Sequence, residues 1–451
     1  MRIRRAMIAF SVVSALPAAA WPAQTVVAEE GLRPVRVVRS LTSVHEWYVQ
    51  TYAGYPVLGS YYARHLDLAG NLMKVDDGRL AVAGLSASAS RVAAGDARSA
   101  AGAPRADVRL VVMPGAPARL AWAVYGGNGI RTVVDAASGT VIARTDLRRF
   151  ATGQGRVFDP SPVVTLQDET LTDQRDLDYP ALQPAYIIRP LTRLDGSGLL
   201  KGEFADVKGT TSRASSESLE FIYDRSDPRF EQTMAYYNVT AAQEYIQSLG
   251  FTDVNNEPQD LKVDQFGGDN SFFYPKQDFI KLGKGGVDDA EDAEVTWHEY
   301  GHAIQDSQVP GFGEGHDAGS IGEGFSDYWA ATMSEPVSGG FDVPCVADWD
   351  STSYTSAVPH CLRRTDLELT VADQTGRIHH DGQIWSRALW DIHQALGRTT
   401  ADTVILEAQF LFEPDTSFAD AAVDTVFAAE LLYGSAVGVL VRSAFEDRGI
   451  L

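Results

Sequence analysis

The run Glu294-Val295-Thr296-Trp297-His298-Glu299-Tyr300-Gly301-His302-Ala303-Ile304, with the later Gly322-Glu323-Gly324-Phe325-Ser326-Asp327, decides how this chain is read. Val295, Trp297 and Ile304 put apolar surface around the first motif. Asp288, Asp289, Glu291, Asp292 and Glu294 crowd the expected start of its helix, where the dipole favours negative charge. On that helix the i, i+4 spacing brings His298 and His302 to one face, so two imidazoles can reach one ion with Glu299 beside them. Catalytic zinc takes three protein ligands and keeps a position for water, so a third ligand is expected. Glu323 follows His302 by 21 residues. Asp327, four residues further along a second helical stretch, can accept the outer N–H of a ligating histidine. Gly301 costs about 1 kcal/mol against alanine in a helix, which predicts that something packs closely on the backbone there.

The 451 residues suffice for about three domains. Arg2, Arg4 and Arg5 precede an apolar run from Ala6 to Leu16, then Pro17 and Ala18-Ala19-Ala20, the pattern of a secretory signal peptide over residues 1–28. Cleavage fits after Ala20 or Ala28, and a twin-arginine signal at Arg4-Arg5 is an alternative. No run is long enough to span a bilayer, so a secreted, extracellular protein is expected. In an oxidising compartment Cys345 and Cys361, two cysteines in a polar loop, read as a disulfide. Residues 1–150 carry a net charge of +8 and residues 151–451 one of −30. Opposite charges of this size suit an inhibitory segment and its enzyme, and the acidity also serves solubility. Without a basic patch to meet phosphates, nucleic acid is excluded as a partner.

Ser43 to Ala53 is expected to be a helix. Strands are expected around Leu66, from Leu120 to Tyr125 and from Arg131 to Val134, with a hairpin at Asp135-Ala136-Ala137-Ser138-Gly139. Residues 84–104, rich in Ala, Ser and Gly, read as a linker or a weak helix. Residues 151–230 are polar with short β-like runs at Pro162–Leu166, Ala185–Arg189 and Leu219–Tyr223. Helical periodicity sets in at Phe230 and ends at Leu249-Gly250, and after residue 395 the pattern is that of packed helices.

The His-Glu-Tyr-x-His helix and the Gly-Glu-Gly-x-x-Asp run resemble those of the fungalysin family of secreted zinc metallopeptidases, thermolysin-like glutamate zincins. The resemblance extends to Gly54-Tyr55-Pro56-Val57 and the Asp135 hairpin, which are similar to propeptide elements, and to Ala235-Tyr236-Tyr237-Asn238-Val239. Ile378-His379-His380-Asp381-Gly382-Gln383-Ile384-Trp385 resembles the family's Val-His-x-x-Gly-Glu-x-Trp, with Gln383 in place of its glutamate. The resemblance implies that His379 faces the reacting carbonyl. It also implies that Asn270 and Ser271 lie on an edge strand that pairs with the substrate backbone. Carboxylates near the zinc helix bind calcium in thermolysin-like relatives, so Ca2+ joins one Zn2+ per chain as a candidate ion.

The expected fold is α+β: a zincin-like catalytic domain with a β-rich N-terminal half and a helical C-terminal half, preceded by an α+β propeptide. Residues 29–150 would be the inhibitory and folding propeptide, removed near Arg149-Phe150. Residues 151–230 would form the β-rich first part of the catalytic region, and residues 231–451 the zincin core and helical end. The expected chemistry is endopeptidase hydrolysis of protein or peptide substrates by a zinc-activated water. His298, His302 and Glu323 would hold the metal, Glu299 serve as general base, His379 stabilise the oxyanion and Asp327 orient a ligand. A catalytically silent zinc-binding protein and an exopeptidase with the same site are the alternatives. Nothing in the residues speaks to oligomeric state.

Overall fold

A computed structural model describes residues 31–451 apart from 41, 86–90, 127–128, 149, 209–211 and 264. The expected signal peptide and Arg149 of the expected cleavage point lie outside the described residues. The chain divides into two compact units, Met1–Arg148 and Arg149–Leu451.

In the first unit β1 (Leu32–Arg39), β2 (Ser43–Tyr52), β3 (Tyr55–Pro56), β4 (Tyr61–Asp67) and β5 (Leu72–Gly78) form an antiparallel sheet of order β1-β2-β4-β5, with β3 also on β2. A short helix, α1 (Ala94–Ala100), precedes the meander β6 (Asp107–Met113), β7 (Arg119–Tyr125), β8 (Ile130–Asp135) and β9 (Val141–Asp146). The β8–β9 turn is made by Asp135, whose Oδ1 accepts the backbone N–H of Ala137 and Ser138, both at 2.9 Å. Ser43–Ala53 is not a helix. Val44, Glu46 and Tyr48 are buried, and Glu46 takes the Tyr48 hydroxyl at 3.0 Å and Arg64 of β4 at 2.6 Å. Alternation across a sheet, in a run rich in β-branched and aromatic residues, outweighs the helical spacing.

The second unit opens with β10 (Ala151–Val157), α2 (Pro162–Leu166), β11 (Ile187–Leu194), β12 (Ala205–Lys208) and β13 (Glu220–Phe221), and β10 lies between β11 and β13. Pro162–Leu166, expected to be β-like, is helical. Ser161 caps it by accepting the Val164 N–H at 3.3 Å, and Pro162 occupies the first helical position. The long helix α3 (Arg229–Ser248) follows, then β14 (Gln259–Lys262), β15 (Phe272–Tyr274) and β16 (Phe279–Lys281). These strands form a sheet of order β12-β14-β16-β15, parallel except for β15, which runs antiparallel along its end.

Helices dominate the rest: α4 (Ala293–Gln308), α5 (His316–Ser334), the two-residue pair β17 (Cys345–Val346) and β18 (Arg363–Arg364), then α6 (Ile378–Leu396), α7 (Arg398–Gln409), α8 (Phe418–Tyr433) and α9 (Ser435–Asp447). Elements α3 to α8 share one apolar core that includes Trp297, Tyr300, Trp329 and Trp385. Trp297 donates Nε1–H to Asn238 O at 3.0 Å and Tyr300 its hydroxyl to Gln243 Oε1 at 2.7 Å, which seats α4 on α3. The fold is thus mixed, β-rich first and helical later, as expected. Among the described residues no helix is long and apolar enough to cross a membrane.

Candidate metal and active site

Helix α4 begins where Asp292 accepts the Glu294 N–H at 3.0 Å, with a second carboxylate oxygen taking the N–H groups of Trp349 and Asp350 at 3.1 Å. Glu294 accepts Ala347 N–H at 2.7 Å, and Glu291 forms a buried pair with Arg225 at 2.7 Å. Three carboxylates of the acidic run therefore serve protein donors, and their burial explains how an acid-rich segment can start a core helix.

Close backbone approach brings the site together. A Cβ on Gly301 would lie 2.8 Å from Ser326 Cα, so α5 packs directly on α4 where the sequence led one to expect contact. A Cβ on Gly382 would lie 2.9 Å from Glu323 Cβ, and this second close approach sets α6 against α5. The result places His298, His302, Glu323 and His379 around one space. Donor atoms of His298, His302 and Glu323 all lie within 4.8 Å of one another. His298 Nε2 is 3.5 Å from Glu323 Oε2, His302 Nε2 3.7 Å from Glu323 Oε1, and His379 Nε2 3.5 Å from the same Oε1. His298, Glu299 and Glu323 are buried, whereas the His379 side chain is 64% exposed at the rim.

Asp327 Oδ1 sits 2.9 Å from His298 Nδ1, which leaves Nε2 facing Glu323. Arg363 of β18 grips Asp327 through two bonds of 2.6 and 2.8 Å and reaches within 3.7 Å of Glu323 Oε2. No spacing in the sequence pointed to Arg363. It arrives with the loop closed by the Cys345–Cys361 disulfide, two residues before it.

Burial acts to depress the His298 imidazolium, but the carboxylates of Asp327 and Glu323 hold its pKa up at about 10. Burial takes His302 down to about 4. Burial would raise Glu323, yet the two histidines and Arg363 hold it below the usual carboxylate range. Glu299 is pushed up to about 7 by burial, with the charges of Glu323 and Asp289 adding to the effect. Glu323 Oε2 is buried and accepts no hydrogen bond. Two imidazole nitrogens and an unsatisfied carboxylate oxygen facing one point are a donor set that a zinc ion fits.

These side chains line a cleft of about 850 Å³. Asn270, Ser271, Phe272 and Phe273 form one wall, so the expected substrate-contact residues line the same cleft as Glu299. Ser271 donates its hydroxyl to Asp289. Asn270 is exposed. Gln383, where the resemblance led one to expect glutamate, accepts the Arg364 N–H at 3.4 Å and is not among the described residues that line the cleft. His380 pairs with Asp381 at 2.9 Å, away from the three donors.

Residues 281–409 match the family model of the Fungalysin metallopeptidase (M36). Over that segment the chain is fungalysin-like. The match spans α4, α5 and α6, and it supports a metallopeptidase, a hydrolase of peptide bonds. Comparison with curated proteins finds no match. Among solved structures, the precursor of protealysin, a metalloproteinase from Serratia proteamaculans, is 18% identical over 48% of this chain and 78% of that one, with a TM-score of 0.41. The YpeB C-terminal domain of Bacillus megaterium is 12% identical over 27% of this chain and 58% of that one, with a TM-score of 0.20. Both likenesses are too slight to carry an argument.

Proposed function

We propose that this fungalysin-like chain is a secreted, zinc-dependent endopeptidase made as a preproenzyme. The observation that carries the reading is the convergence of His298, His302 and Glu323 donor atoms beside the buried Glu299 in one cleft. Zinc, when bound, would polarise the scissile carbonyl and acidify a water at neutral pH. The protein's own residues do the rest. Asp327, held by Arg363, keeps the Nε2 of His298 turned to the ion. Glu299, raised towards neutrality, accepts the proton of the attacking water and returns it to the leaving amine. His379, at the rim with its Nε2 3.5 Å from Glu323 Oε1, donates to the carbonyl oxygen as charge develops on it.

Strand β15 supports the endopeptidase form of the reading. It ends its sheet beside the cleft, so an extended peptide can add along Asn270 to Tyr274 and continue past both sides of Glu299. The boundary at Arg148 and the charge of +5 over residues 29–150 (15 Lys+Arg, 10 Asp+Glu) against −30 after it support residues 29–150 as a propeptide acting in cis. Residues 1–28 would be the signal for export. Calcium on the acidic run is not supported, because Glu291, Asp292 and Glu294 already serve protein donors.

Casein hydrolysis by the processed protein, with and without 1,10-phenanthroline and alongside metal analysis, tests the proposal. We expect one zinc per chain, activity abolished by the chelator and restored by zinc, and internal fragments among the products. One bound zinc without hydrolysis would favour a silent zinc-binding protein, and products trimmed only from the ends would favour an exopeptidase. N-terminal sequencing of the secreted form should find its start near residue 150, and a start before residue 100 would refute the propeptide boundary.

A further inference from the structure

Beside the metal donors, the same cleft holds a second group of side chains that the mechanism does not use. Asp269, Asp289 and Asp350 come from the approach to β15, from the loop before α4 and from the segment after β17, and one carboxylate oxygen of each lies within 4.8 Å of the others. Asp289 is 2% and Asp350 5% exposed, whereas Asp269 is exposed at the cleft wall. Each buried carboxylate has one oxygen already satisfied: Asp289 accepts the Ser271 hydroxyl, and Asp350 Oδ2 accepts the Tyr354 hydroxyl at 3.0 Å. The other oxygen of each, Asp289 Oδ1 and Asp350 Oδ1, is buried without a hydrogen bond. Unpaired carboxylate oxygens at this depth are costly, and they call for a cationic partner or a proton. Burial, aided by the charge of Asp269, pushes Asp289 up to about 7, in keeping with a group that lacks its counter-charge.

We propose that Asp269, Asp289 and Asp350 form a subsite for a basic side chain of the peptide substrate, a lysine ammonium or arginine guanidinium. This rests on the endopeptidase reading above. The cluster brings three carboxylates together, enough to face the three N–H donors of an ammonium, and two of them hold an oxygen that no protein donor serves, whereas calcium takes six to eight oxygens. Its exposed member lies next to Asn270, at the head of the strand along which a peptide would add, so the cationic group can enter with the substrate. Asp269, Asp289 and Asp350 line the same cleft as Glu299, so the subsite opens on the space where the bond would be cut. Among the described residues the one arginine lining the cleft, Arg363, is committed to Asp327.

The test compares pairs of peptides that differ only by lysine or norleucine, scanned through the positions flanking the cut, on the secreted protein and on its Asp350→Asn and Asp269→Asn variants. We expect one position at which lysine raises kcat/KM about tenfold over norleucine, and a collapse of that ratio in both variants while zinc content is unchanged. Hydrolysis of both peptides at equal rates at every position would overturn the subsite and leave the endopeptidase reading intact. No hydrolysis of either would refute that reading. The subsite is then judged by calorimetric binding of the same pairs, where equal affinities overturn it. Calorimetry with calcium chloride alone supplies the last arm: stoichiometric uptake abolished in Asp350→Asn would show a metal occupant and overturn the proposal.

Discussion

Glu299 and Asp327 are both buried acids within one turn of a metal donor, yet their surroundings give them opposite tasks. At Glu299 burial outweighs the charge of the neighbouring His298 and the pKa rises to about 7, so it can exchange a proton at neutral pH. Asp327 is held down by Arg363 and His298 against the effect of burial, so it stays a fixed charge. Glu299→Gln should therefore retain one zinc and lose turnover by about a hundredfold or more, measured as kcat on a peptide with metal content in parallel. A fully active variant would refute the general-base role. Asp327→Ala should instead weaken zinc by about ten- to a hundredfold in a chelator competition. It should also destabilise the fold by about 3 kcal/mol or more, because Arg363 would be left buried without its partner. His302→Ala, which removes a donor, is expected to lose metal and activity together. Zinc retained at full stoichiometry by that variant would exclude His302 from the site.

At the scale of elements, what the sequence made legible and what it hid differ in kind. The His-Glu-x-x-His helix, its acidic start and the candidate third donor lie in one or two turns each, so the spacing within each carries its local geometry. Arg363 and the carboxylates of Asp269, Asp289 and Asp350 could not be found that way, since only the fold brings them to the cleft from separate segments. Ser43 to Ala53 failed for another reason: apolar and aromatic residues there fit both periods, and pairing with Tyr61–Asp67 decided for the strand. Pro162–Leu166 did carry a usable signal in Ser161-Pro162, a cap and a helix-starting proline, which its β-branched run outweighed in the reading. Gly301 is where a sequence expectation met its cause. Alanine there would gain about 1 kcal/mol of helix propensity. Its methyl would press on Ser326 Cα, an overpacking cost of about 1–3 kcal/mol. Because Ser326 lies between Glu323 and Asp327, Gly301→Ala should lower both the melting temperature and zinc retention. A melting temperature that rises would show that the α4–α5 contact relaxes without cost.

Across the whole molecule the charge of −30 after residue 150 is not all surface charge. Asp289, Glu291, Asp292, Glu294, Asp348 and Asp350 are buried around the start of α4, so solubility accounts for only part of the acidity. This has a measurable consequence for stability. Burial raises Asp289 to about 7, Asp292 to about 6 and Glu294 to about 8, from ordinary values of 3.8, 3.8 and 4.5, and Glu299 rises likewise to about 7. Between the ordinary and the raised value, the folded protein holds a proton that the unfolded chain has released, so stability falls as pH rises through that window. His302, depressed to about 4, runs the other way up to its ordinary 6.5, one group against the raised carboxylates, Glu291 at about 7 among them. Carboxylates held low, such as Asp381 at about 2, have contributed in full before pH 5 and do not change the slope. The metal-free protein in excess chelator should therefore lose stability from pH 5 to pH 8, by up to about 1.4 kcal/mol per pH unit for each net proton. Calorimetric melting across that range checks it. A melting temperature that climbs with pH would mean that these carboxylates are ionised in the folded state and neutralised by cations of the protein itself, since the chelator has removed any metal.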